Sequence, residues 1–281
     1  MKKIKNIISF MIILSVLGVI IGSFYDLQIN KTLFYRENIF PIFFKIFGEV
    51  PMIILMMISS LNIWKNKDKI NKSFLILSIV LFFAFPIVSS VGIQSYFDFH
   101  NIFISILIFS IYVIITFLIN NKIKNKDTTL VIKYCIFIII SLFSVFLIFT
   151  LMKNIWGRMR FYPMYLENNY ESFTNWWIIN GKPASENFRS FPSGHTSAAA
   201  STFVLIFIPH VFKIKNEGLI RFFTIFPVIW TILVGISRIL DGAHFLTDIS
   251  MATLISISMI YYLFKAFEKN IDNKNGILYK N

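Results

Sequence analysis

A chain of 281 residues that is 56% hydrophobic, with 33 phenylalanines and a mean hydropathy of +0.70, exceeds the roughly 45–50% apolar content of a soluble domain. Its net charge of +13 needs no nucleic-acid partner to explain it, and its single cysteine, Cys135, excludes disulfides within the chain and cysteine metal sites. The fold class that remains is all-α, a polytopic transmembrane helical bundle, taken as one domain over residues 1–281.

Apolar runs of bilayer length, about 17–25 residues, predict eight spans, at about 7–24, 47–64, 73–93, 102–119, 130–151, 196–212, 222–238 and 247–264. The first follows a basic opening but is long for a signal peptide and lacks a small-residue cleavage site, so it reads as a retained helix. Residues 25–46, "YDLQINKTLFYRENIFPIFFKI", mix aromatics with charges, as an interfacial segment does. The Lys-rich connectors "KNKDKINK" (65–72), "NNKIKNKDTT" (120–129) and "KIKNEG" (213–218) alternate with less basic ones. By the positive-inside rule, 18 of the 27 basic residues but only 5 of the 14 acids then fall inside, which accounts for the whole net charge. The expected placement is a cell or inner membrane, with both termini cytoplasmic and residues 152–195 and 239–246 outside. Trp156, Trp176 and Trp177 in the long outer stretch are expected at headgroup level.

Ionisable residues at membrane ends are expensive and need an account. Three groups share the outer side. In "KNIWGRMR", Lys153 and Arg160 lie seven residues apart, nearly two helical turns, which predicts both cations on one helix face. In "RSFPSGHTSAAAS", Ser193, Gly194 and His195 precede a helix start. In "SRILDGAHFLTD", Arg238 is followed by His244 and Asp248 at helical i,i+4 spacing. Lys153, Arg160 and Arg238 suit the non-bridging oxygens of a phosphoryl group, and backbone N–H groups at the helix start add donors. Gly194 lets the backbone come close to a substrate. His244 can attack phosphorus while Asp248 holds its other ring nitrogen, and His195 is left to protonate the leaving oxygen and activate water.

These stretches resemble the signature of the type 2 phosphatidic acid phosphatase (PAP2) family, K-x6-R-P, P-S-G-H and S-R-x5-H-x3-D. Lys153 and Arg160 match the first, Pro192 to His195 the second, and Ser237, Arg238, His244 and Asp248 the third, with Phe161 standing where the family has Pro. The resemblance covers residues 153–248 by motif. It implies a six-helix core plus an extra hairpin at about 73–119, and a phosphohistidine on His244 with His195 as acid. By the same resemblance Lys153, Arg160, Ser193, Gly194 and Arg238 bind phosphate, with no cofactor and no metal. The implied partner is a membrane lipid phosphate or pyrophosphate: undecaprenyl pyrophosphate, phosphatidylglycerophosphate, phosphatidic acid or a lipid A phosphate.

A phosphotransferase using the same intermediate is the alternative, and a soluble phosphate ester the less favoured substrate. A non-catalytic transport or assembly role would predict degraded motifs, whereas the ionisable set is intact. Arg158 and Arg189 flank the motifs, with headgroup contact and a plain surface role both open. Asp241 can pair with Arg238 or His244. His100, His210, Glu167, Glu171 and Glu186 read as ordinary loop or helix-end residues.

Overall fold

The computed structural model describes residues 1–97, 99–122 and 127–271, with side chains through 269. The centre of the 120–129 connector and the tail beyond 271, both counted in the inner-side charge, lie outside the described residues. Among those described there are helices and turns and no strand. The α-helices are α1 (Lys2–Leu33), α2 (Ile39–Phe47), α3 (Val50–Lys65), α4 (Lys72–Ser95), α5 (Ile102–Asn120), α6 (Thr128–Trp156), α7 (Phe161–Leu166), α8 (Gly194–Ser201), α9 (Ile208–Val211), α10 (Glu217–Leu240) and α11 (Leu246–Ile271).

Polar residues between the apolar runs start these helices. Asn38, Asn71, Asn101 and Asn216 cap α2, α4, α5 and α10, each side chain accepting a first-turn backbone N–H. Among the described residues seven helical stretches are long and apolar enough to cross a membrane: 2–33, 39–65, 72–95, 102–120, 128–166, 217–240 and 246–269. The protein is thus a polytopic all-helical membrane protein, with large apolar side chains such as Ile13, Phe24, Val88 and Phe103 exposed on its helices.

Two expectations need correction. The run at 196–212 is not one regular helix: α8 gives way at Thr202 to a 3-10 turn, Thr202–Phe207, and then to the short α9. Ser197, Ser201 and Thr202 turn their hydroxyls back onto the carbonyls of Gly194, Ser197 and Ala199, and Pro209 removes a backbone donor. The first helix, expected to end near 24, continues to Leu33. Its polar residues Asp26 and Asn30 are one turn apart and buried on protein partners, so nothing there requires the helix to end.

The chain divides into two compact units, residues 1–48 with 143–261, and residues 49–142 with the chain from 262 on. The first has the buried run Ala198–Phe207 at its centre. Helix α10 packs on α8, on the 3-10 turn and on α2, joining Phe44, Ala199 and Val234 in one cluster. Helices α1 and α11 approach closely because Gly22 has no side chain; a Cβ there would meet Thr247 Cγ2 at 2.7 Å. In the second unit α3 packs on α4 and α5, the pair expected at about 73–119. Two inward polar pairs join its helices, Asn62 donating to Asn120 at 2.7 Å and Gln94 to Ser105 at 2.6 Å.

Candidate active site

All three motifs fall in the first unit. Helix α6 carries Lys153 and stops at Trp156, so the expectation that Lys153 and Arg160 share one helix face does not hold. Gly157 turns the chain at φ +58°, where any side chain would be strained and a Cβ would strike the Gly181 carbonyl at 2.6 Å. Beyond the turn Arg160 donates its backbone N–H to Asn187 O at 2.8 Å, and Ser190 donates to Arg158 O at 3.0 Å. Two backbone bonds therefore tie the first motif to the second and to the segment just before it. Phe161, replacing the expected Pro, is fully buried against Phe34, and Arg160 becomes the N-cap of α7.

Ser193 caps α8, its Oγ accepting from Thr196 N–H at 3.3 Å. Gly194 has a steric role beyond the one expected: a Cβ would lie 3.3 Å from Lys153 Cε. The missing side chain seats Lys153, whose ammonium donates to Arg189 O at 2.9 Å.

The third motif is a turn between α10 and α11. Ala243 and His244 donate to Arg238 O at 3.1 and 3.3 Å, around Gly242 at φ +65°. Buried Arg238 donates to Pro41 O at 3.2 Å and approaches Asp241 at 3.5 Å. Asp241 also lies 3.5 Å from Arg36, so the acid pairs with arginines and not with His244.

His244 is buried, and its Nδ1 donates to Ser190 O at 2.5 Å. A carbonyl can only accept, so Nδ1 carries the hydrogen and Nε2 keeps its lone pair. Burial, reinforced by the charges of Lys153 and Arg160 against the opposing pull of Asp248, pushes this imidazole down to about 3. It is neutral at physiological pH. The expected direct bond from Asp248 to His244 is absent, the two standing 3.8 Å apart. The i,i+4 rule fails because His244 precedes α11, which begins at Leu246.

Asp248 acts one step further out. Its carboxylate accepts from Ser190 Oγ at 2.5 Å, Phe245 N–H at 2.8 Å and Arg158 at 2.5 Å. Ser190 is thus the link, bonded to Asp248 by its hydroxyl and to His244 by its carbonyl.

Arg158 points inward rather than onto the surface. Fully buried, it donates to Asp248, to Asp26 at 3.0 Å, to Thr247 at 2.8 Å and to Thr174 O at 2.9 Å. Asp26 in turn accepts from the backbone and hydroxyl of Thr247. Asn30, one turn on, donates to His244 O at 3.2 Å. Sequence reasoning missed Asp26, Asn30, Ser190 and Lys45. The available signal was Asp26 itself, an acid closing a long apolar run.

His195, partly buried, places Nε2 at 3.2 Å from Lys45 O, so Nε2 carries the hydrogen of the neutral ring. Desolvation, then the Arg238 charge, holds its pKa well below the ordinary imidazole value. Arg160 reaches Glu186 at 3.8 Å, and Glu186 also binds Arg189 at 2.7 Å on an exposed rim. Trp156 and Trp176 are tied into the protein: Trp156 donates to Trp176 O, Trp176 to Ser23 Oγ, and both rings lie against Phe191.

An apolar groove of about 390 Å³ runs beside the site between α1, α10 and α11, from Leu246 and Thr196 toward Met11 and Thr253. Among the described residues no group of three or more His, Cys, Asp or Glu is placed to hold a metal ion.

The chain is 34% identical over 106 residues to lipid phosphate phosphatase 1 of Arabidopsis thaliana, an alignment covering 35% of this chain and 32% of the relative. It is 33% identical over 104 residues to phosphatidylglycerophosphatase B of Bacillus subtilis (strain 168), covering 34% of this chain and 49% of the relative. The matches thus span a third to a half of those relatives. No solved structure matches. The family model described as PAP2 superfamily matches residues 131–272 and includes all three motifs. With that match over half its length, the chain belongs to the PAP2 superfamily.

Proposed function

We propose that the protein is a metal-independent lipid phosphate phosphatase that works through a phosphohistidine on His244. The observation that carries this reading is the His244 ring: a neutral imidazole, its Nδ1–H spent on Ser190 O and its Nε2 lone pair available, under the positive charge of Lys153 and Arg160. Nε2 attacks phosphorus as the P–O bond to the leaving group breaks. Lys153, Arg160 and Arg238, with the backbone at Ser193 and Gly194, hold the non-bridging oxygens. Asp248 supports the developing imidazolium through Ser190.

His195 supplies the proton for the leaving oxygen. Empty, the site disfavours a charged His195; an arriving phosphate dianion offsets the Arg238 and Lys153 charges and lets the ring take up a proton. After the leaving group departs, His195 removes a proton from water, which attacks the phosphohistidine and frees phosphate.

The apolar groove supports a lipid substrate. It begins at Thr196, next to His195, and suits the hydrocarbon chain of a molecule whose phosphate is in the site. Connector charge favours a site on the outer face with both termini cytoplasmic. Phosphatidylglycerophosphate, phosphatidic acid, a lipid A phosphate and a polyprenyl pyrophosphate are the candidate substrates.

The test is phosphate release in EDTA from these four lipids and glucose 6-phosphate, with His244→Ala as control. Release from a lipid, lost in His244→Ala, is the expected result. Turnover persisting in His244→Ala would sink the mechanism. Release only when an acceptor is supplied would mark a transferase.

A further inference from the structure

Helix α2 lies outside the family match and carries none of the three motifs, yet it borders the site through two carbonyls one turn apart. Pro41 O accepts from Arg238 at 3.2 Å, and Lys45 O accepts from His195 at 3.2 Å. The Lys45 side chain is partly buried, and the charges that act on it most are Asp241, Arg36, Arg238 and Arg160. Arg36, just ahead of α2, lies 3.5 Å over the Tyr162 ring and 3.5 Å from Asp241. Lys45 and Arg36 therefore add two cations on the His195 side, beyond the residues needed to bind one phosphoryl group, with Asp241 as an acid that acts on both.

We propose that Lys45, assisted by Arg36, forms a second anion subsite that holds the lipid-proximal phosphate of a diphosphate substrate. This inference rests on the phosphatase reading and names the substrate class, lipid diphosphates over lipid monophosphates. The leaving group departs beside His195, the ring bonded to the Lys45 backbone. With a diphosphate, His244 Nε2 forms the N–P bond to the terminal phosphorus, and the bridging oxygen leaves with the electron pair. The lipid-linked phosphate released gains negative charge, which a nearby ammonium stabilises. With a monophosphate ester the leaving group is an alkoxide that needs the His195 proton, and a cation further out has no phosphate to hold. Lys45 is on this account a specificity-determining residue.

The test uses the full chain in detergent, with inorganic pyrophosphate and inorganic phosphate titrated by calorimetry into the parent, Lys45→Gln and Lys45→Arg. Pyrophosphate should bind the parent more tightly than phosphate, and Lys45→Gln should cut that ratio about tenfold, as loss of one charge-assisted contact does. Lys45→Arg should restore most of it. Equal affinities in the parent, or an equal loss for both anions in Lys45→Gln, would overturn the subsite; the latter is the mark of a structural lysine.

Turnover of a polyprenyl diphosphate and its monophosphate gives the second readout, kcat/KM for the diphosphate falling selectively in Lys45→Gln. A matching fall for both would again overturn it. No turnover of any lipid by the parent, with the pyrophosphate ratio intact and Lys45-dependent, would support the anion subsite and reject the phosphatase reading.

Discussion

Replacing the Arg158 guanidinium by a shorter, neutral polar side chain, Arg158→Gln, tests the buried network behind the proposed catalytic histidine. Arg158 is fully buried and stands between two buried carboxylates, 3.0 Å from Asp26 and 2.5 Å from Asp248. The parent buries one positive and two negative charges here; the variant would bury two negatives with no counter-charge. Breaking one buried pair by deleting a partner costs about 3–5 kcal/mol. Arg158 serves two pairs at once, so the expected loss lies at the upper end, about 5 kcal/mol or a factor of several thousand in a folding equilibrium.

The readout is the unfolding midpoint in detergent together with phosphate release, because a displaced Asp248 also misplaces Ser190 and His244. The sign of the electrostatics has its own control. Asp26→Asn in the Arg158→Gln background restores the parent's net buried charge and should recover at least half of the lost stability. If Arg158→Gln matches the parent to within about 1 kcal/mol, a surface-pair value, or if Asp26→Asn makes it worse, the reasoning is wrong.

Ser190→Ala keeps the carbonyl that orients His244 but deletes the hydroxyl on Asp248, and should lower kcat about ten- to a hundredfold with little change in KM, as loss of a hydrogen bond to a charged group does; steady-state kinetics on one lipid checks it. Gly194→Ala brings a methyl to 3.3 Å from Lys153 Cε and should raise KM for every phosphate substrate several-fold while leaving the unfolding midpoint nearly in place. The pH dependence of stability follows from His244, whose pKa falls to about 3 in the folded protein against an ordinary 6.5. The unfolded chain binds this proton first, so the contribution is complete above pH 6.5 and is lost as pH falls toward 3, at about 1.4 kcal/mol per pH unit. Unfolding midpoints between pH 8 and pH 4 should decline on that side, and a flat profile would contradict a buried neutral His244.

The motifs were legible because their chemistry is local: three cations, two histidines and an acid in fixed order need no tertiary knowledge to suggest phosphoryl transfer. What misled was helical spacing carried past a helix end. Spacing alone makes helical neighbours of Lys153 and Arg160, and likewise of His244 and Asp248, yet α6 stops at Trp156 and α11 starts at Leu246. The Gly157 turn and the Gly242 turn set those positions instead. Arg158 was visible but ambiguous, since its role depends on Asp26, 132 residues earlier, and no spacing rule reaches that far. The straight span expected at 196–212 failed for a readable reason, the Ser and Thr hydroxyls that bond back onto the helix.

The long separation between Asp26 and its partners has a consequence for how the molecule is made. At roughly 5–20 residues per second, Arg158 leaves the ribosome on the order of ten seconds after Asp26, and Thr247 later still. During that interval the first helix is already made while its carboxylate lacks every group that will hold it, and water is the only solvent that can serve. The nascent helix is therefore expected to keep Asp26 hydrated and to draw it onto its partners once α11 arrives. Synthesis order makes completion of the charge network a late event, and chains halted before Thr247 should expose an acid that finished molecules conceal.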